Sequence, residues 1–179
     1  MIRLVPDEVI LGLLKQRPAH GYDLLERFKS KSHLGRIWNM STSQLYAVLK
    51  RLEENGLIKG SQVDVQDAPA RIEFSITEEG NKRLNAWLYD NNPPTSIHRI
   101  RVMFLSRLYI GFLLDLQLDE VIKAQIDVCE EQKSAFEEAQ RQSSSEIETL
   151  ANKYIIGQLD AALTWLYDVR DQYGLRQKT

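Results

Sequence analysis

The chain has 179 residues, enough for one large domain or two small ones. Its hydrophobic share of 43% and charged share of 27% are ordinary for a globular protein and exclude overall disorder. A single cysteine, Cys129, excludes an internal disulfide. The longest apolar stretch, residues 102–116, is too short to span a bilayer, and the N-terminus shows no secretory signal. We therefore expect a cytoplasmic protein.

The charge is distributed unevenly along the chain. The net charge is −2, yet residues 15–60 carry nine Lys and Arg against four acidic residues. Residues 92–179 carry ten Lys and Arg against thirteen acidic residues. A basic segment in an otherwise acidic chain is typical of a local polyanion site, although a solvated basic face gives the same pattern.

Two short amphipathic helices open the chain. The spacing of apolar residues predicts one helix at residues 7–16, which Pro18 ends, and a second at residues 20–31. Residues 32–40 contain a glycine and are predicted to form a loop.

A third amphipathic helix is predicted in STSQLYAVLKRLEENGLIKG, residues 41–60. Ser41 or Thr42 is suited to cap its start, and Gly56 to end it. Its apolar side comprises Leu45, Val48, Leu49 and Leu52. The opposite side comprises Ser43, Ala47, Lys50 and Glu54, flanked by Tyr46 and Arg51. Small hydroxyls, an aromatic ring and cations on this side favour a contact surface over a merely solvated one.

A β-hairpin is predicted next, because apolar and polar residues alternate on both sides of a turn that carries Asp67 and Pro69. Thr77 then caps a fourth helix. Three helices, a hairpin and a helix form the order of a winged helix-turn-helix. We predict a mainly α fold with a small β-hairpin, in which a winged helix occupies residues 1–91, a linker residues 92–96 and an all-helical domain residues 97–179.

Helical spacing continues to the end of the chain, with helices predicted at residues 97–114, at 119–141 and in a last segment. The sequence QSSSE at residues 142–146 weakens the helical pattern between the last two. In the last helix, apolar residues recur at the spacing of a coiled-coil seam, namely Ile155, Leu159, Ala162, Leu166, Val169 and Tyr173. This spacing fits packing within the chain as well as packing against a second copy.

Three motifs carry a family resemblance: HGY at residues 20–22, LYxxLxRLExxGLI at residues 45–58, and the set Arg71, Thr77 and Gly80. In this order they resemble the PadR family of bacterial transcriptional regulators, over about residues 5–91. The C-terminal half is similar to the longer subgroup called AphA-like or virulence-activator-like. The resemblance implies a homodimeric repressor that binds double-stranded DNA at an inverted repeat, with the six seam residues as the dimer interface.

The predicted DNA-binding residues are Ser41, Thr42, Ser43, Gln44, Tyr46, Ala47, Lys50, Arg51 and Arg71. Hydroxyl, amide and ammonium groups read base edges in the major groove, and a methyl group contacts thymine. Tyr46 and Arg51 are better placed for phosphates, and Arg71, at the predicted hairpin tip, for a phosphate or the minor groove. Alternatively, Tyr46 faces the core and Arg51 pairs with Glu54 or Asn55.

This sequence departs from the family pattern around the third helix. It has Thr42-Ser43-Gln44 and Ala47 where the family usually has Pro-Gly-Thr and a proline, so its base preference is expected to differ. Phe74 replaces the usual tyrosine, and the wing is poor in Lys and Arg. A weak wing leaves a second interpretation open, a protein–protein interaction module that does not read DNA.

Other chemistry finds little support in the sequence. No glycine-rich phosphate loop, metal-ligand spacing or nucleophile beside a base is present, so we expect no enzyme, no metal and no cofactor. Cys129 is expected to be a small buried hydrophobe. A small-molecule effector is possible but unidentified, and its hints are the aromatic residues Trp87, Tyr154, Trp165 and Tyr167, which at helical spacing more often belong to a core.

Overall fold

The computed structural model describes residues 4–65 and 68–173, and side chains in these ranges except 64, 65 and 68–70. Its elements are α1 (Asp7–Gln16), β1 (Ala19–His20), α2 (Gly21–Lys29), a 3-10 turn (Leu34–Arg36), α3 (Thr42–Glu54), β2 (Ile58–Val65), β3 (Ala68–Ile76), α4 (Glu78–Leu88), α5 (Ile97–Arg99), a π-helical segment (Ile100–Phe104), α6 (Leu105–Leu113), α7 (Asp119–Gln142) and α8 (Glu146–Tyr173). This mainly helical chain with one small sheet confirms the predicted fold class. No helix of the described ranges is long and apolar enough to cross a membrane.

The chain divides into two compact units. The first unit contains the residues up to Leu88 together with Ser106–Leu116, and the second contains Tyr89–Leu105 and the residues from Gln117 onward. Ile110 of α6 is fully buried in the core of the first unit. A segment of the predicted C-terminal domain thus packs in the first unit. The division into a winged helix at residues 1–91, a linker at 92–96 and a helical domain at 97–179 remains a prediction.

The core of the first unit is formed by the apolar sides of α1, α2 and α3, with α4 packed against α1. Leu45, Val48, Leu49 and Leu52 of α3 are all buried, as the spacing predicts. The helix ends at Glu54 with Asn55 as its C-cap, and Gly56 follows with a φ of 67°. Left-handed backbone of this kind is nearly free of strain only for glycine, which is why the helix stops here.

The sheet has the order β1-β3-β2, with both pairings antiparallel. Gly60 lies opposite Phe74, and Val63 lies opposite Arg71. The predicted hairpin is therefore present. Of its predicted turn residues, Asp67 lies outside the described residues and Pro69 falls within β3. The strand β1 was not predicted, because two residues are too short to show alternation.

The second unit is built around the antiparallel pairing of α7 and α8, which residues 143–145 connect. The predicted weak point of the helical pattern is thus a break. Of the predicted seam residues, Leu159, Ala162, Leu166 and Val169 are at most 7% exposed, while Ile155 and Tyr173 are half-buried. The coiled-coil spacing of α8 is therefore used for packing within the chain, one of the two alternatives that the sequence left open.

Candidate nucleic-acid interface

The side of α3 that faces away from the core is open to solvent. Thr42, Ser43, Ala47 and Lys50 are all exposed. The ammonium of Lys50 lies 3.8 Å from Glu54, but both side chains are more than 60% exposed. A surface pair of this kind stabilises a helix by only about 0.3–0.5 kcal/mol, so Lys50 exchanges this partner easily for another anion.

Ser41 and Gln44 form a capping box at the start of α3. The Ser41 hydroxyl accepts the Gln44 backbone N–H at 3.2 Å, and the Gln44 side-chain oxygen accepts the Ser41 N–H at 2.8 Å. This reciprocal pair satisfies two backbone donors that the helix leaves open. Two of the predicted DNA-binding residues therefore also fix the helix start, and the amide nitrogen is the end of Gln44 that can donate to a base.

Arg51 is engaged in an ion pair with Asp7 of α1, a partner that neither sequence alternative named. Its Nη2 contacts one carboxylate oxygen of Asp7, and its Nε donates to the other at 3.4 Å. From α4, Arg83 reaches the same carboxylate at 3.5 Å and Glu8 at 2.7 Å. The Asp7 side chain is only 5% exposed. The guanidinium of Arg51 thus connects α3 to α1.

Tyr46 is neither fully exposed to a phosphate nor buried in the core, the two alternatives that the sequence left open. Half of the residue is exposed, and its ring passes over the start of α2. A Cβ atom built on Gly21 would lie 2.9 Å from the Tyr46 hydroxyl oxygen, closer than real contacts of this kind. Glycine at this position allows the aromatic ring to rest on the α2 backbone while its edge faces solvent.

The wing formed by β2 and β3 is held beside α3 by three hydrogen bonds. Nδ1 of His20 donates to the Ile72 carbonyl oxygen at 3.0 Å. The Gly60 N–H donates to a Glu53 carboxylate oxygen at 2.8 Å. The Thr77 hydroxyl, which also caps α4, donates to the carbonyl of Gly56 at 2.7 Å. These bonds link the wing to α2, to the last turn of α3 and to the residue that ends it.

A hollow of about 690 Å³ opens between the wing and the starts of α2 and α3. Tyr22 and Ile72 are 66% and 57% exposed, large values for side chains of their size. Arg71, predicted at the hairpin tip, instead lies within β3 opposite Val63 and lines this hollow. The full lining is His20, Gly21, Tyr22, Asp23, Tyr46, Arg71, Ile72 and Phe74. Tyr22 and Ile72 are not among the site residues predicted from the sequence, because apolar spacing does not distinguish an exposed side chain from one in the core.

The aromatic residues considered for an effector pocket have separate contacts. The Arg107 guanidinium lies 5.5 Å from the Trp87 ring centre, and Trp165 packs edge-on against Phe104 at 5.8 Å. Tyr154 accepts a hydrogen bond from Gln158 at 2.7 Å. Tyr167 instead donates its hydroxyl hydrogen to Glu130.

Cys129 is fully buried in the second unit, and burial raises the pKa of its thiol. A thiol with a raised pKa carries little reactive thiolate near neutral pH. Within the described ranges, no group of three or more His, Cys, Asp or Glu side chains is arranged to hold a metal ion.

Comparison with known proteins identifies the family. Residues 10–86 match the sequence profile of the transcriptional regulator PadR-like family. The chain is also 30% identical over 129 residues to the negative transcriptional regulator PadR of Bacillus subtilis, covering 70% of each protein. The chain belongs to the PadR-like family. The resemblance that the motifs indicated is confirmed, and this PadR-like chain is a transcriptional regulator by family.

Other proteins and solved structures are also similar to this chain. A probable transcriptional regulator of Mycobacterium tuberculosis, Rv1176c, is 25% identical over 91 residues, which are 51% of this chain and 47% of that protein. Among solved structures, Bacillus subtilis PadR in complex with operator DNA has 21% identity and a TM-score of 0.48, covering 97% of this chain and 99% of that one. The PadR-like regulator BC1756 from Bacillus cereus has 24% identity and a TM-score of 0.45, with 96% and 97% covered.

Proposed function

We propose that this PadR-like regulator is a homodimeric repressor that binds double-stranded DNA at an inverted repeat. The observation that carries the proposal is the exposed side of α3, where Ser43, Ala47 and Lys50 face solvent. The Ser43 hydroxyl is hydrogen-bonded to the neighbouring Ser41 hydroxyl at 3.1 Å, and Lys50 has an exposed pair with Glu54. The B-DNA major groove admits one α-helix, and it presents base edges to hydroxyl and ammonium donors. The wing, held beside α3, gives the protein a second contact to the same duplex.

The structure supports a division of labour among the predicted DNA-binding residues. Ser43, Lys50 and the amide nitrogen of Gln44 contact base edges, and Ala47 contacts a thymine methyl group. Phosphate contacts, which supply affinity and salt dependence, come from Thr42, Tyr46 and Arg71. In this proposal Ser41 and Arg51 act mainly by fixing the start and the tilt of α3, because both have partners within the chain.

Repression in this proposal is steric. Two copies related by a twofold axis set their α3 helices one or two helical turns apart on the inverted repeat, and the bound dimer excludes RNA polymerase. A small-molecule effector of unassigned identity releases the dimer by favouring a different spacing of the two α3 helices. Such a ligand shifts the equilibrium only as far as its affinities for the two arrangements differ.

The proposal is tested by selection from random DNA. Purified protein is mixed with random duplexes, and the bound fraction is sequenced at two salt concentrations. The expected result is an enriched inverted-repeat motif that persists at the higher salt. Weak binding without a motif that vanishes as salt rises would overturn the proposal and favour the protein–protein interaction module.

The change Lys50→Glu tests whether α3 is the helix that contacts base edges. It places a carboxylate where the groove offers acceptors and phosphates, so we expect affinity for the selected motif to fall at least about 100-fold. The matched control is Lys82→Glu on α4, which makes the same charge change at an equally exposed lysine outside the proposed contact set. Equal losses for both variants would mean that only the net charge matters and that α3 does not read the sequence.

A further inference from the structure

The hollow beside the wing exposes apolar surface close to α3. Its lining includes Tyr22 at the start of α2 and Ile72 of β3, both more than half exposed. The strand β1 pairs with β3 at Phe74 and Glu73, so β3 extends beyond the end of β1 at Ile72. Phe74, on the same face of β3 as Ile72, is buried. The apolar face of the wing thus continues past the core, and its outer part is open.

The hollow lies beside the side of α3 that is proposed to contact base edges. Tyr46, which lines the hollow, stands three residues after Ser43 and four residues before Lys50. Residues at these spacings are neighbours on the surface of a helix. A duplex whose major groove receives α3 therefore brings one strand of its sugar–phosphate backbone against the hollow. The backbone of a duplex is a convex ridge, and the hollow is a concave surface that can receive it.

The charged groups of the hollow favour a phosphate at one position and disfavour it at another. Arg71 is exposed and forms no ion pair with the residues that the structure describes, so its guanidinium is available to an anion. Asp23, in the first turn of α2, also lines the hollow, and its carboxylate repels a phosphate. Close to α2, Tyr22 and Ile72 instead offer carbon surface, which suits the uncharged sugar of a nucleotide.

We propose that the hollow seats one deoxyribose of the bound duplex in each half-site, with the sugar carbons against Tyr22 and Ile72 and the adjoining phosphate at Arg71. This inference rests on the proposed function and adds Tyr22 and Ile72 to its contact residues. Contacts to the sugar and phosphate fix the position of a protein on the duplex without reading its sequence. Here the sugar contact compensates for a wing that is poor in Lys and Arg.

Apolar packing on a sugar and ion pairing with a phosphate differ in their dependence on salt. Each phosphate that a cation neutralises releases counterions, so it contributes about −0.9 to the slope of log K against the logarithm of the salt concentration. Burial of carbon surface releases no counterions and strengthens binding at every salt concentration. Loss of the Ile72 contact therefore lowers this line without changing its slope, whereas loss of the Arg71 contact changes the slope.

The deciding experiment compares two variants of the hairpin that make nearly the same change. Ile72→Thr removes carbon surface from the hollow. Val63→Thr removes it from the other face of the hairpin, because Val63 lies opposite Arg71 and successive residues of β3 point to opposite faces. Both variants keep a β-branched residue at an exposed site, so folding is preserved. We expect the affinity of the full-length protein for its selected duplex to fall about 10-fold for Ile72→Thr at every salt concentration, and to stay unchanged for Val63→Thr.

Two more variants separate the sugar from the phosphate. Tyr22→Gln removes the ring from the hollow, and we expect the same loss of affinity with the same slope as for Ile72→Thr. Arg71→Gln removes the cation, so we expect the slope to become shallower by about one phosphate contact. Equal losses for Ile72→Thr and Val63→Thr, or a changed slope in Ile72→Thr, would contradict the seated sugar.

A single ribose placed in the selected duplex locates the contact. Its 2′-hydroxyl puts a polar group against Ile72, so one position in each half-site is expected to weaken wild-type binding and to have little effect on Ile72→Thr. Wild-type affinity in Ile72→Thr and Tyr22→Gln, from a chain that still selects an inverted repeat, would overturn the seated sugar and leave the proposed function intact. A wild-type chain that selects no motif would overturn both.

Discussion

At the residue scale, Asp7 is a buried carboxylate that forms ion pairs with two arginines of the first unit. Its carboxylate is nearly inaccessible and is shared by Arg51 and Arg83, whose own side chains are about 40% exposed. Because two guanidinium groups compensate it, the buried charge is tolerated. The arrangement links α1 to α3 and to α4, and so helps to fix the orientation of α3 relative to these two helices.

The change Asp7→Asn is expected to lower the free energy of unfolding by about 1–3 kcal/mol. Asparagine keeps the shape but loses the charge, and hydrogen bonds to charged groups contribute about that amount. The value is below that of a fully buried pair because water reaches both arginines. Urea unfolding followed by circular dichroism measures the change. The control Glu54→Gln removes an exposed carboxylate that pairs with Lys50, and should cost less than about 0.5 kcal/mol.

A double-mutant cycle separates the roles of Arg51. If Arg51→Ala and Asp7→Asn together cost clearly less than the sum of the single changes, the two side chains stabilise the fold as a pair. A coupling energy near zero, combined with a smaller salt dependence of DNA binding in Arg51→Ala, would show that Arg51 serves the DNA phosphates instead.

The sequence predicted which residues of α3 face outward but not what some of them touch. The 3.6-residue period separates the buried leucines from Ser43, Ala47 and Lys50, since periodicity is a local property of the chain. Arg51 pairs with a residue 44 positions away, and no local pattern contains that information. The capping box of Ser41 and Gln44 is local, but the sequence pattern predicts only a cap at Ser41 or Thr42 and a base contact at Gln44.

At the element scale, the wing and α4 depend on one close approach. A Cβ atom built on Gly80 in the first turn of α4 would lie 2.1 Å from the Leu57 carbonyl oxygen. This oxygen belongs to the backbone at the start of the wing and accepts a hydrogen bond from Thr77. The first turn of α4 therefore packs directly on the point where the chain leaves α3 and enters β2.

We expect Gly80→Ala to destabilise the first unit by roughly 2–3 kcal/mol, because either α4 or the start of the wing must move to admit the methyl group. This loss outweighs the better helix propensity of alanine, which is about 1 kcal/mol. Thermal unfolding measures the effect as a lower Tm. The control Glu79→Ala changes the neighbouring exposed residue on the same helix and should leave Tm nearly unchanged. A Gly80→Ala protein as stable as the wild type would show that α4 shifts without cost.

Elements were predicted from the sequence where their patterns are long. The helices α1, α3 and α7 begin and end within a residue or two of their predicted limits, because each shows sustained apolar periodicity. Prolines also bound α1, and a capping residue and a glycine bound α3. The helical run from residue 97 was predicted, but its π-helical segment, Ile100–Phe104, was not. One added residue in a turn changes a hydrogen bond without changing the apolar composition.

At the scale of the whole molecule, the sequence predicts the order of the elements. It does not predict against which partner the apolar run at residues 97–114 and the seam of α8 pack. The run at residues 97–114 is apolar on most sides, so its sequence does not say which core receives which part. In the fold, Ile110 is buried in the first unit, while Phe104 is buried in the second, with the partly exposed Trp165 packed edge-on against it. Likewise, the spacing of the α8 seam fits packing within the chain as well as packing against a second copy, and four of its six residues are buried within the chain.

The use of that seam within the chain leads to a prediction for Leu166, which is fully buried. The change Leu166→Asp sets an unpaired carboxylate between α7 and α8 and removes apolar contacts, so we expect it to cost about 4 kcal/mol or more and to unfold this helix pair. Cys129 reports the outcome. Its buried thiol, with a pKa raised by burial, reacts slowly with Ellman's reagent in the folded protein.

Leu166→Asp should therefore expose Cys129 to Ellman's reagent within minutes and lower the helix content. The exposed-site variant Tyr154→Glu should keep Cys129 protected, because Tyr154 is 67% exposed and lies outside the seam. The two variants thus separate the effect of a charge in the buried seam from the effect of a charge at an exposed position of the same helix. A Leu166→Asp protein that stays helical, keeps Cys129 protected and merely becomes monomeric would reverse this assignment, and the seam would then be the contact between copies.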